Sequence, residues 1–188
     1  MKVAITGHTS GIGQDLQQHF LSQGHEVRGF SRSNGHTLPD AIDRVLVKSL
    51  DCDVFINNAL PIASQIVLLE KLWSKWHAKN KTIVVIGSIA AHLPFDVPGQ
   101  ETYQQQKKEL DTLCKRLRYT NGANPCRLIS VHPGWVSTNI FELLSVKAPP
   151  QEVCMTPQQV TQVVEYALSS PLYIQDITVS LSTDFGGT

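Results

Sequence analysis

Tyr103 and Lys107 are the residues whose types and spacing point most clearly to chemistry, since they stand four positions apart. In a helix this spacing puts both side chains on one face. A neighbouring ammonium favours the phenolate and lowers the pKa of a tyrosine from about 10. A tyrosine in that setting can donate or accept a proton near neutral pH. Taken alone, an ordinary surface pair explains the same pattern.

Ser88 adds a hydroxyl fifteen residues before Tyr103, at the end of the strongly apolar residues 82–88. A serine at the carboxyl end of a buried parallel strand faces the ligand crevice of an α/β sheet. Ile86 and Ala90 replace the outer glycines of the G-x-S-x-G elbow, so a hydrolase nucleophile is not indicated. A simple cap for the following segment is the alternative interpretation.

The first loop carries glycine at positions 7, 11 and 13, between a predicted strand and a predicted helix. Glycine permits a tight turn and a close approach of the backbone to a pyrophosphate. The start of a helix offers free N–H groups to such an anion. A loop that merely connects strand and helix is the alternative. The residues predicted to bind a nucleotide here are Gly7, Thr9, Ser10, Gly11, Ile12 and Gly13.

Two further loops follow predicted strands. Asparagine in the loop after residues 53–56 can hold neighbouring backbone through paired hydrogen bonds, or it can simply cap a helix. Proline and glycine turn the chain sharply after residues 126–132, which is either a ligand-binding loop or a plain strand exit. The candidate binding residues in these loops are Asn58, Ala59, Leu60, Pro133, Gly134, Val136 and Thr138.

Short apolar runs alternate with longer segments of helical periodicity along the chain. The pattern predicts strands at residues 2–6, 26–30, 53–56, 82–88, 126–132 and 173–181. It predicts helices at residues 11–23, 39–50, 61–79, 101–118 and 156–169. This alternation indicates βαβ units and a parallel sheet with helices on both faces. We therefore expect an α/β fold with a doubly wound parallel sheet, as a single domain over residues 1–188.

Composition argues against several classes of function. The chain has 188 residues, 41% of them hydrophobic, and its 16 Lys and Arg balance 16 Asp and Glu. A zero net charge without charge blocks weakens any case for nucleic acid or an anionic membrane. The longest apolar runs are four residues, whereas a membrane-spanning helix needs about 20. Because no signal-peptide core begins the chain either, we expect a cytoplasmic protein.

Four cysteines are present, and none of them forms a C-x-x-C pair. A disulfide framework is not expected in a chain of this size without a secretion signal. We expect reduced thiols that pack in the interior, and we assign no metal site. The cysteines are Cys52, Cys114, Cys126 and Cys154.

Together these features resemble the short-chain dehydrogenase/reductase family, which has a Rossmann-like fold and whose motifs occur here in order along the chain. The likeness covers a glycine-rich loop, an N-N-A-G motif, a Ser-Tyr-Lys catalytic set, a P-G motif and a terminal D-G-G stretch. The matching positions are residues 7–13, residues 57–59, Ser88, Tyr103, Lys107, residues 133–138 and residues 184–187.

The resemblance implies hydride transfer between a nicotinamide and a carbonyl or carbinol carbon of a small molecule. Tyr103 would be the general acid in reduction and the base in oxidation, with Ser88 hydrogen-bonded to the substrate oxygen. Lys107 would lower the pKa of Tyr103 and hold the nicotinamide ribose. Residues 133–136 would support the nicotinamide carboxamide, with Thr138 as a further contact.

The 2′ position of the cofactor is read after the second predicted strand. NAD-binding relatives usually carry an acidic residue there, whereas this chain has Ser31, followed by Arg32 and Ser33. A guanidinium suits a 2′-phosphate. We therefore predict NADP(H) as the cofactor, held by Arg32 and Ser33, with NAD as the second candidate. A solvated surface arginine is the alternative interpretation.

The chain departs from the family pattern in four places. Residues 33–39 leave room for only a shortened third strand, and residues 139–155 for only a short substrate loop. Leu60 replaces the glycine of the N-N-A-G motif. The helix asparagine that holds a relay water in the family is absent, so either Gln65 takes that role or the relay is missing.

The leading hypothesis is an NADP(H)-dependent carbonyl reductase or alcohol dehydrogenase, because the catalytic set is complete. The alternative is a catalytically weak or inactive nucleotide-binding regulator or scaffold with the same fold, which the short loop and the missing asparagine favour. The expected partner is a small carbonyl or alcohol substrate, with no nucleic acid and no membrane. An apolar substrate pocket is predicted from His92, Leu93, Phe95, Trp135, Ile140 and Phe141.

Trp73 and Trp76 bear on the oligomeric state, since they fall in the helix that often forms the dimer interface of the family. Core packing is the simpler interpretation of both side chains. Aromatic residues are enriched at protein interfaces, and on that ground we predict a homodimer.

Overall fold

The computed structural model describes residues 1–97, 99–120 and 125–181. Six parallel strands form one sheet in the order β2-β1-β3-β4-β5-β6. The strands are β1 Lys2–Thr6, β2 Glu26–Phe30, β3 Val54–Asn57, β4 Thr82–Ile86, β5 Arg127–Pro133 and β6 Asp176–Val179. The predicted doubly wound α/β fold is confirmed.

The described residues form six α-helices and three short 3-10 helices. The α-helices are α1 Gly11–Ser22, α2 Ile42–Ser49, α3 Ile62–Trp76, α4 Glu101–Tyr119, α5 Ile140–Leu143 and α6 Pro157–Ser169. The 3-10 helices are Arg32–Asn34, Ile89–His92 and Gln151–Val153. The five longer α-helices match the predicted ones, whereas α5 and the 3-10 helices are too short for periodicity to reveal.

Apolar side chains form a core on each face of the sheet. The central strands β3 and β4 carry apolar side chains on both faces because helices cover both faces, whereas β5 also buries Ser130 and His132 on one face. One core packs α2, α3 and α4 against the sheet, and the other packs α1 and α6. Trp73 and Trp76 are buried in the first core. The suggested place of these tryptophans in a dimer interface is therefore wrong, and the homodimer stays a prediction.

The sheet ends at β2 because the chain turns away after it. Residues 33–39 were expected to hold a shortened third strand, but they contain the end of a 3-10 helix and no strand. The amide of Ser31 donates to Asn34 Oδ1 at 2.9 Å, and Asn34 Nδ2 donates to Gly29 O at 2.8 Å. Gly35 continues the turn with a φ of +80°, which glycine adopts without strain.

All four cysteines are buried and unpaired, as predicted. Burial raises the pKa of the Cys114 thiol to about 11 and that of Cys126 to about 12, so neither is a reactive thiolate at neutral pH. In the described part of the chain, no helix combines the length and the apolar character needed to cross a membrane. The cytoplasmic location stays a prediction.

Candidate active site

A cleft of about 1020 Å³ opens at the carboxyl ends of the strands. It lies at the end of β1, which has β2 on one side and β3 on the other. The order of the strands along the chain changes direction at this point, and open α/β sheets bind ligands there. All but one of the predicted site residues line this cleft. They are Gly7, Thr9, Ser10, Gly11, Ile12, Arg32, Ser33, Asn58, Ala59, Leu60, Ser88, Tyr103, Lys107, Pro133, Gly134, Val136 and Thr138.

The glycine-rich loop runs from β1 to α1 in a conformation that favours glycine. Gly7 has a φ of +71° and Gly11 a φ of +51°, both in the left-handed region. The amide of Gly7 donates to Phe30 O at 2.7 Å, which ties the loop to β2. Ser10 occupies the N-cap position of α1, and its side chain makes no capping hydrogen bond. The first amides of α1 therefore remain available to an anion, so the loop fits a pyrophosphate.

Gly13 supports this loop from behind and does not line the cleft. A Cβ built at Gly13 would stand 2.2 Å from Gly7 O and 2.8 Å from Asn58 Nδ2. The absence of a side chain is what allows α1 to pack directly against the loop. Gly13 thus has a packing role in this structure, whereas the sequence suggested contact with the ligand.

Gly13→Ala is expected to lower the free energy of unfolding by about 1–3 kcal/mol, the usual cost of overpacking. The added methyl would meet backbone, which cannot move aside as a flexible side chain can. Urea denaturation followed by circular dichroism measures the loss. Ser10→Ala changes an exposed residue of the same loop and should stay within about 0.5 kcal/mol of the wild type. Equal stability of the two variants would contradict the packing role.

Thr6 holds the loop after β3 against the glycine-rich loop. Its Oγ1 accepts hydrogen bonds from the amides of Asn58 at 2.9 Å and Ala59 at 3.1 Å. Asn58 Nδ2 in turn donates to Thr6 O at 3.1 Å. Asn58 therefore binds neighbouring backbone, the first of the two roles that the sequence left open. Leu60 replaces the motif glycine and still lines the cleft.

Ser88 and Tyr103 meet inside the cleft. Ser88 follows β4, and its Oγ accepts a hydrogen bond from the amide of Ala90 at 3.2 Å, so it also caps the next 3-10 helix. Tyr103 lies in the first turn of α4, and its phenol lies beside the Ser88 hydroxyl. Burial raises the pKa of the Tyr103 phenol, and the Ser88 side chain opposes this only in part. The phenol therefore carries its proton at neutral pH.

Lys107 lies one turn beyond Tyr103 on α4, with Nζ 5.8 Å from the centre of the tyrosine ring. Nζ donates to Ile86 O at 3.0 Å and to Gln65 Oε1 at 3.2 Å. Burial lowers the pKa of Lys107 to about 7. In this structure burial raises the pKa of Tyr103, and the lowering of that pKa by Lys107 stays a prediction.

Gln65 connects Lys107 to the loop after β3. Its side chain is fully buried, and its Nε2 donates to Asn57 O at 2.9 Å. Asn57 Nδ2 returns a hydrogen bond to Gln65 O at 2.8 Å. In the absence of the helix asparagine, Gln65 thus contacts the lysine directly.

The loop after β5 is fixed at both ends. The amide of Gly134 donates to the last residue of β6 at 2.7 Å, and Val136 forms a bridge with Met155. The methyl group of Thr138 stands against Gly11, where a Cβ would come within 3.0 Å of it. This loop and the glycine-rich loop therefore face each other across the cleft.

Arg32 and Ser33 stand just after β2, at the end of the cleft near the sheet edge. Within residues 1–97, 99–120 and 125–181, the exposed Arg32 side chain has no hydrogen bond or ion pair. Ser33 Oγ is 2.8 Å from Ser31 Oγ. No motif marked the remaining residues that line this end of the cleft. They are His36, Thr37, Leu38 and Val45.

Four of the six predicted substrate-pocket residues line the cleft, namely Leu93, Trp135, Ile140 and Phe141. The prediction fails for Phe95, which is exposed at the surface and outside the cleft. It also fails for His92, whose ring lies against Asp111 and His132. The D-F-G-G stretch at residues 184–187 lies outside the described residues.

Several solved structures are similar to this chain over nearly its whole length. A short-chain dehydrogenase from Sphingobium yanoikuyae in complex with NADPH has a TM-score of 0.77 at 16% identity, over 94% of this chain and 87% of the other. An alcohol dehydrogenase from the archaeon Thermococcus sibiricus, complexed with 5-hydroxy-NADP, has 0.71 at 17% identity over 100% of both chains. A 3-alpha-hydroxysteroid dehydrogenase from Pseudomonas sp. B-0831, complexed with NADH, has 0.71 at 20% identity over 98% and 96%.

No protein-family model and no curated protein sequence matches the chain. At identities of 16–20% the structural likeness establishes the fold. The chain has the Rossmann-like fold of the short-chain dehydrogenases/reductases, and the resemblance noted in the sequence is confirmed at that level.

Proposed function

We propose that this chain is an oxidoreductase of the short-chain dehydrogenase/reductase type, which uses NADP(H) to interconvert a small carbonyl compound and its alcohol. The observation that carries the proposal is the meeting of Ser88, Tyr103 and Lys107 in the same cleft as the glycine-rich loop. A binding module needs no proton donor there, whereas carbonyl reduction does. We propose that residues 1–188 act as one catalytic domain.

The cleft suits a dinucleotide along its whole length. The left-handed glycines and the uncapped amides of α1 suit the pyrophosphate, and the loop after β5 suits the nicotinamide. Arg32 and Ser33 suit a 2′-phosphate, since both line the end of the cleft beside β2. When bound, the nicotinamide supplies or accepts a hydride at C4.

Tyr103 supplies the proton in the reduction. Its half-buried, protonated phenol donates to the carbonyl oxygen as negative charge develops there. Ser88 donates a hydrogen bond to the same oxygen, which stabilises that charge in the transition state. In the oxidation Tyr103 acts as the base and removes the hydroxyl proton.

Lys107 and Gln65 position this pair. The Lys107 ammonium can stabilise the phenolate that remains after Tyr103 gives up its proton, and we assign the nicotinamide ribose to the same ammonium. Gln65 anchors Nζ through its Oε1, and Gln65 is itself held by Asn57. The lysine thus has a fixed location before any ligand arrives.

Arg32→Ala is expected to weaken NADPH binding by about 10–100-fold and to leave NADH binding nearly unchanged. A charge-assisted hydrogen bond is worth about 1.5–3 kcal/mol, and only NADPH has the 2′-phosphate. Titration calorimetry with both nucleotides measures the two affinities. Arg44→Ala removes an exposed arginine that does not line the cleft and serves as the matched control. Equal weakening of both nucleotides would reject the assignment of the 2′-phosphate to Arg32.

The activity itself is tested by following NADPH absorbance with a panel of carbonyl compounds. The lining residues Leu93, Trp135 and Phe141 favour modest apolar substrates. A nucleotide-binding regulator, the second candidate, would bind NADPH and reduce none of them. Binding of neither nucleotide would overturn both hypotheses. The homodimer is tested separately by the mass in solution, and a monomer mass at every concentration would reject it.

A further inference from the structure

Outside the cleft, a cluster of two histidines and a carboxylate lies where three elements meet. His92 ends the 3-10 helix that follows Ser88, Asp111 lies in α4, and His132 lies in β5. One ligating atom of each residue lies within 4.8 Å of the others. His92 Nε2 is 3.6 Å from Asp111 Oδ2, and His132 Nε2 is 3.7 Å from Asp111 Oδ1.

The two histidine–carboxylate separations are close to the edges of a tetrahedral metal site. Zn²⁺ binds histidine nitrogen and carboxylate oxygen at about 2.0–2.2 Å, so ligand atoms at the corners of a tetrahedron are about 3.3–3.6 Å apart. Asp176 Oδ1 lies 3.5 Å from His132 Nε2, beside the cluster, where its carboxylate could reach a fourth position. Two imidazoles with carboxylates form a ligand set that suits zinc.

Asp111 Oδ1 is buried and makes no hydrogen bond within the described residues. Its contact with His132 Nε2 at 3.7 Å is longer than a hydrogen bond, which is an independent sign of a missing ligand between the two atoms. The Asp111 side chain is 8% exposed and that of His132 is 1% exposed. A buried carboxylate oxygen without a hydrogen-bond partner destabilises the folded protein. A cation in front of Asp111 Oδ1 would remove that destabilisation.

The second oxygen of each of the two carboxylates, Asp111 and Asp176, accepts a hydrogen bond from a basic side chain. Lys115 Nζ donates to Asp111 Oδ2 at 2.6 Å, and Arg118 donates to Asp176 Oδ2 at 2.6 Å. Arg118 is buried and orients Asp176, as outer partners of metal ligands usually do. Lys115 is more than half exposed and can move into solvent when Asp111 binds a metal ion.

We propose that His92 Nε2, His132 Nε2 and the Asp111 carboxylate bind a divalent transition-metal ion, with Zn²⁺ as the best fit and Asp176 as the fourth ligand. His92 is 30% exposed and leaves an entry path. Sequence spacing gave no hint of this site, because the three residues are separated by 19 and 21 positions and only the fold brings them together.

The site would clamp the elements that carry the active-site residues. Ser88 lies four residues before His92, Lys107 lies one turn before Asp111 on α4, and Pro133 directly follows His132. Its role is therefore structural: the ion fixes the relative positions of the loop after β4, α4 and the loop after β5. This inference does not depend on the proposed oxidoreductase activity.

The test uses the full-length protein stripped with a chelator and then titrated with Zn²⁺ by calorimetry. The wild type is expected to bind one Zn²⁺ per chain and to melt at a higher temperature when loaded, because a ligand that binds only the folded state stabilises it. His92→Gln, at the most exposed ligand, is expected to weaken Zn²⁺ binding by at least about 100-fold. Mg²⁺, which prefers oxygen ligands in octahedral geometry, is expected to give no such effect.

His19→Gln is the matched control, since His19 pairs with a surface carboxylate, Glu165, at 3.1 Å. It is expected to bind Zn²⁺ like the wild type. Circular dichroism shows whether His92→Gln is folded, and Asp176→Asn is the second variant, which should weaken binding while keeping both imidazoles. Absence of Zn²⁺ binding by the wild type, or equal binding by His92→Gln and the wild type, would overturn the proposal.

Discussion

Tyr103→Phe is expected to lower kcat by about 10²–10⁴-fold, the usual contribution of a positioned general acid, and to leave the affinity for NADPH nearly unchanged. The substitution removes only the hydroxyl that lies beside Ser88. The ring remains to pack beside the buried side chains of α3 and α4. Steady-state rates with NADPH and an accepted carbonyl compound give kcat, and calorimetry gives the affinity.

Tyr119→Phe is the matched control for this variant. Tyr119 lies at the far end of the same helix, and its exposed hydroxyl donates to Gln175 Oε1 at 2.9 Å. Its loss is expected to leave kcat unchanged. If Tyr103→Phe kept a rate within a few-fold of the wild type, the proton would have to come from another group. If the wild type bound NADPH and reduced no carbonyl compound, the regulator hypothesis would replace the enzyme.

The fold and most of the cleft could be predicted because local signals and the global topology agree. Parallel strands end at the same edge of the sheet, so motifs that follow β1, β3, β4 and β5 must meet there. The residues that line the cleft were therefore readable from their position after each strand. The spacing of four residues predicted separately that Tyr103 and Lys107 share one face of a helix, and both lie on α4 with Lys107 Nζ 5.8 Å from the tyrosine ring.

The features that were not predicted depend on distances in the folded protein, which no local sequence pattern contains. The 3-10 helix after β2 replaces the expected strand because Asn34 bonds back to Gly29 and Ser31. Gly13 resembles the other loop glycines in the sequence, and only its contact with Gly7 O reveals its packing role. His92 is expected in the substrate pocket and lies outside the cleft. A single turn of 3-10 helix brings its ring against His132 instead.

The buried amine of Lys107 is expected to lower the free energy of unfolding of the wild type by an amount that depends on pH. Lys107→Met is expected to remove this effect. Burial holds the pKa of Lys107 near 7 in the folded protein, whereas an exposed lysine in the unfolded chain has a pKa near 10.4. Between these values the unfolded chain binds a proton that the folded protein lacks. The free energy of unfolding of the wild type therefore rises with pH across this window, by up to about 1.4 kcal/mol per pH unit. Below pH 7 both states are protonated and the loss is largest.

The measurement is urea denaturation of wild type and Lys107→Met at pH 7.0 and 9.5. The stability of the wild type relative to the variant is expected to improve by about 3 kcal/mol over this interval, because the variant shares every other titrating group. Lys108→Met changes the adjacent lysine, which lies outside the cleft, and is expected to follow the wild-type curve. A constant difference between wild type and Lys107→Met at the two pH values would show that Lys107 is solvated in the free protein.

Lys107→Met and Tyr103→Phe together test why the protein has a buried lysine at this position. A methionine at position 107 would fill the same space without a buried amine and would keep the apolar contacts of α4, so stability alone does not favour Lys107. Its Nζ is nevertheless held by Gln65 and Ile86 O next to the tyrosine ring. We expect Lys107→Met to be more stable than the wild type at pH 7 and, like Tyr103→Phe, to lose turnover. A gain in stability joined to a loss of activity is the result that a positioned catalytic group predicts.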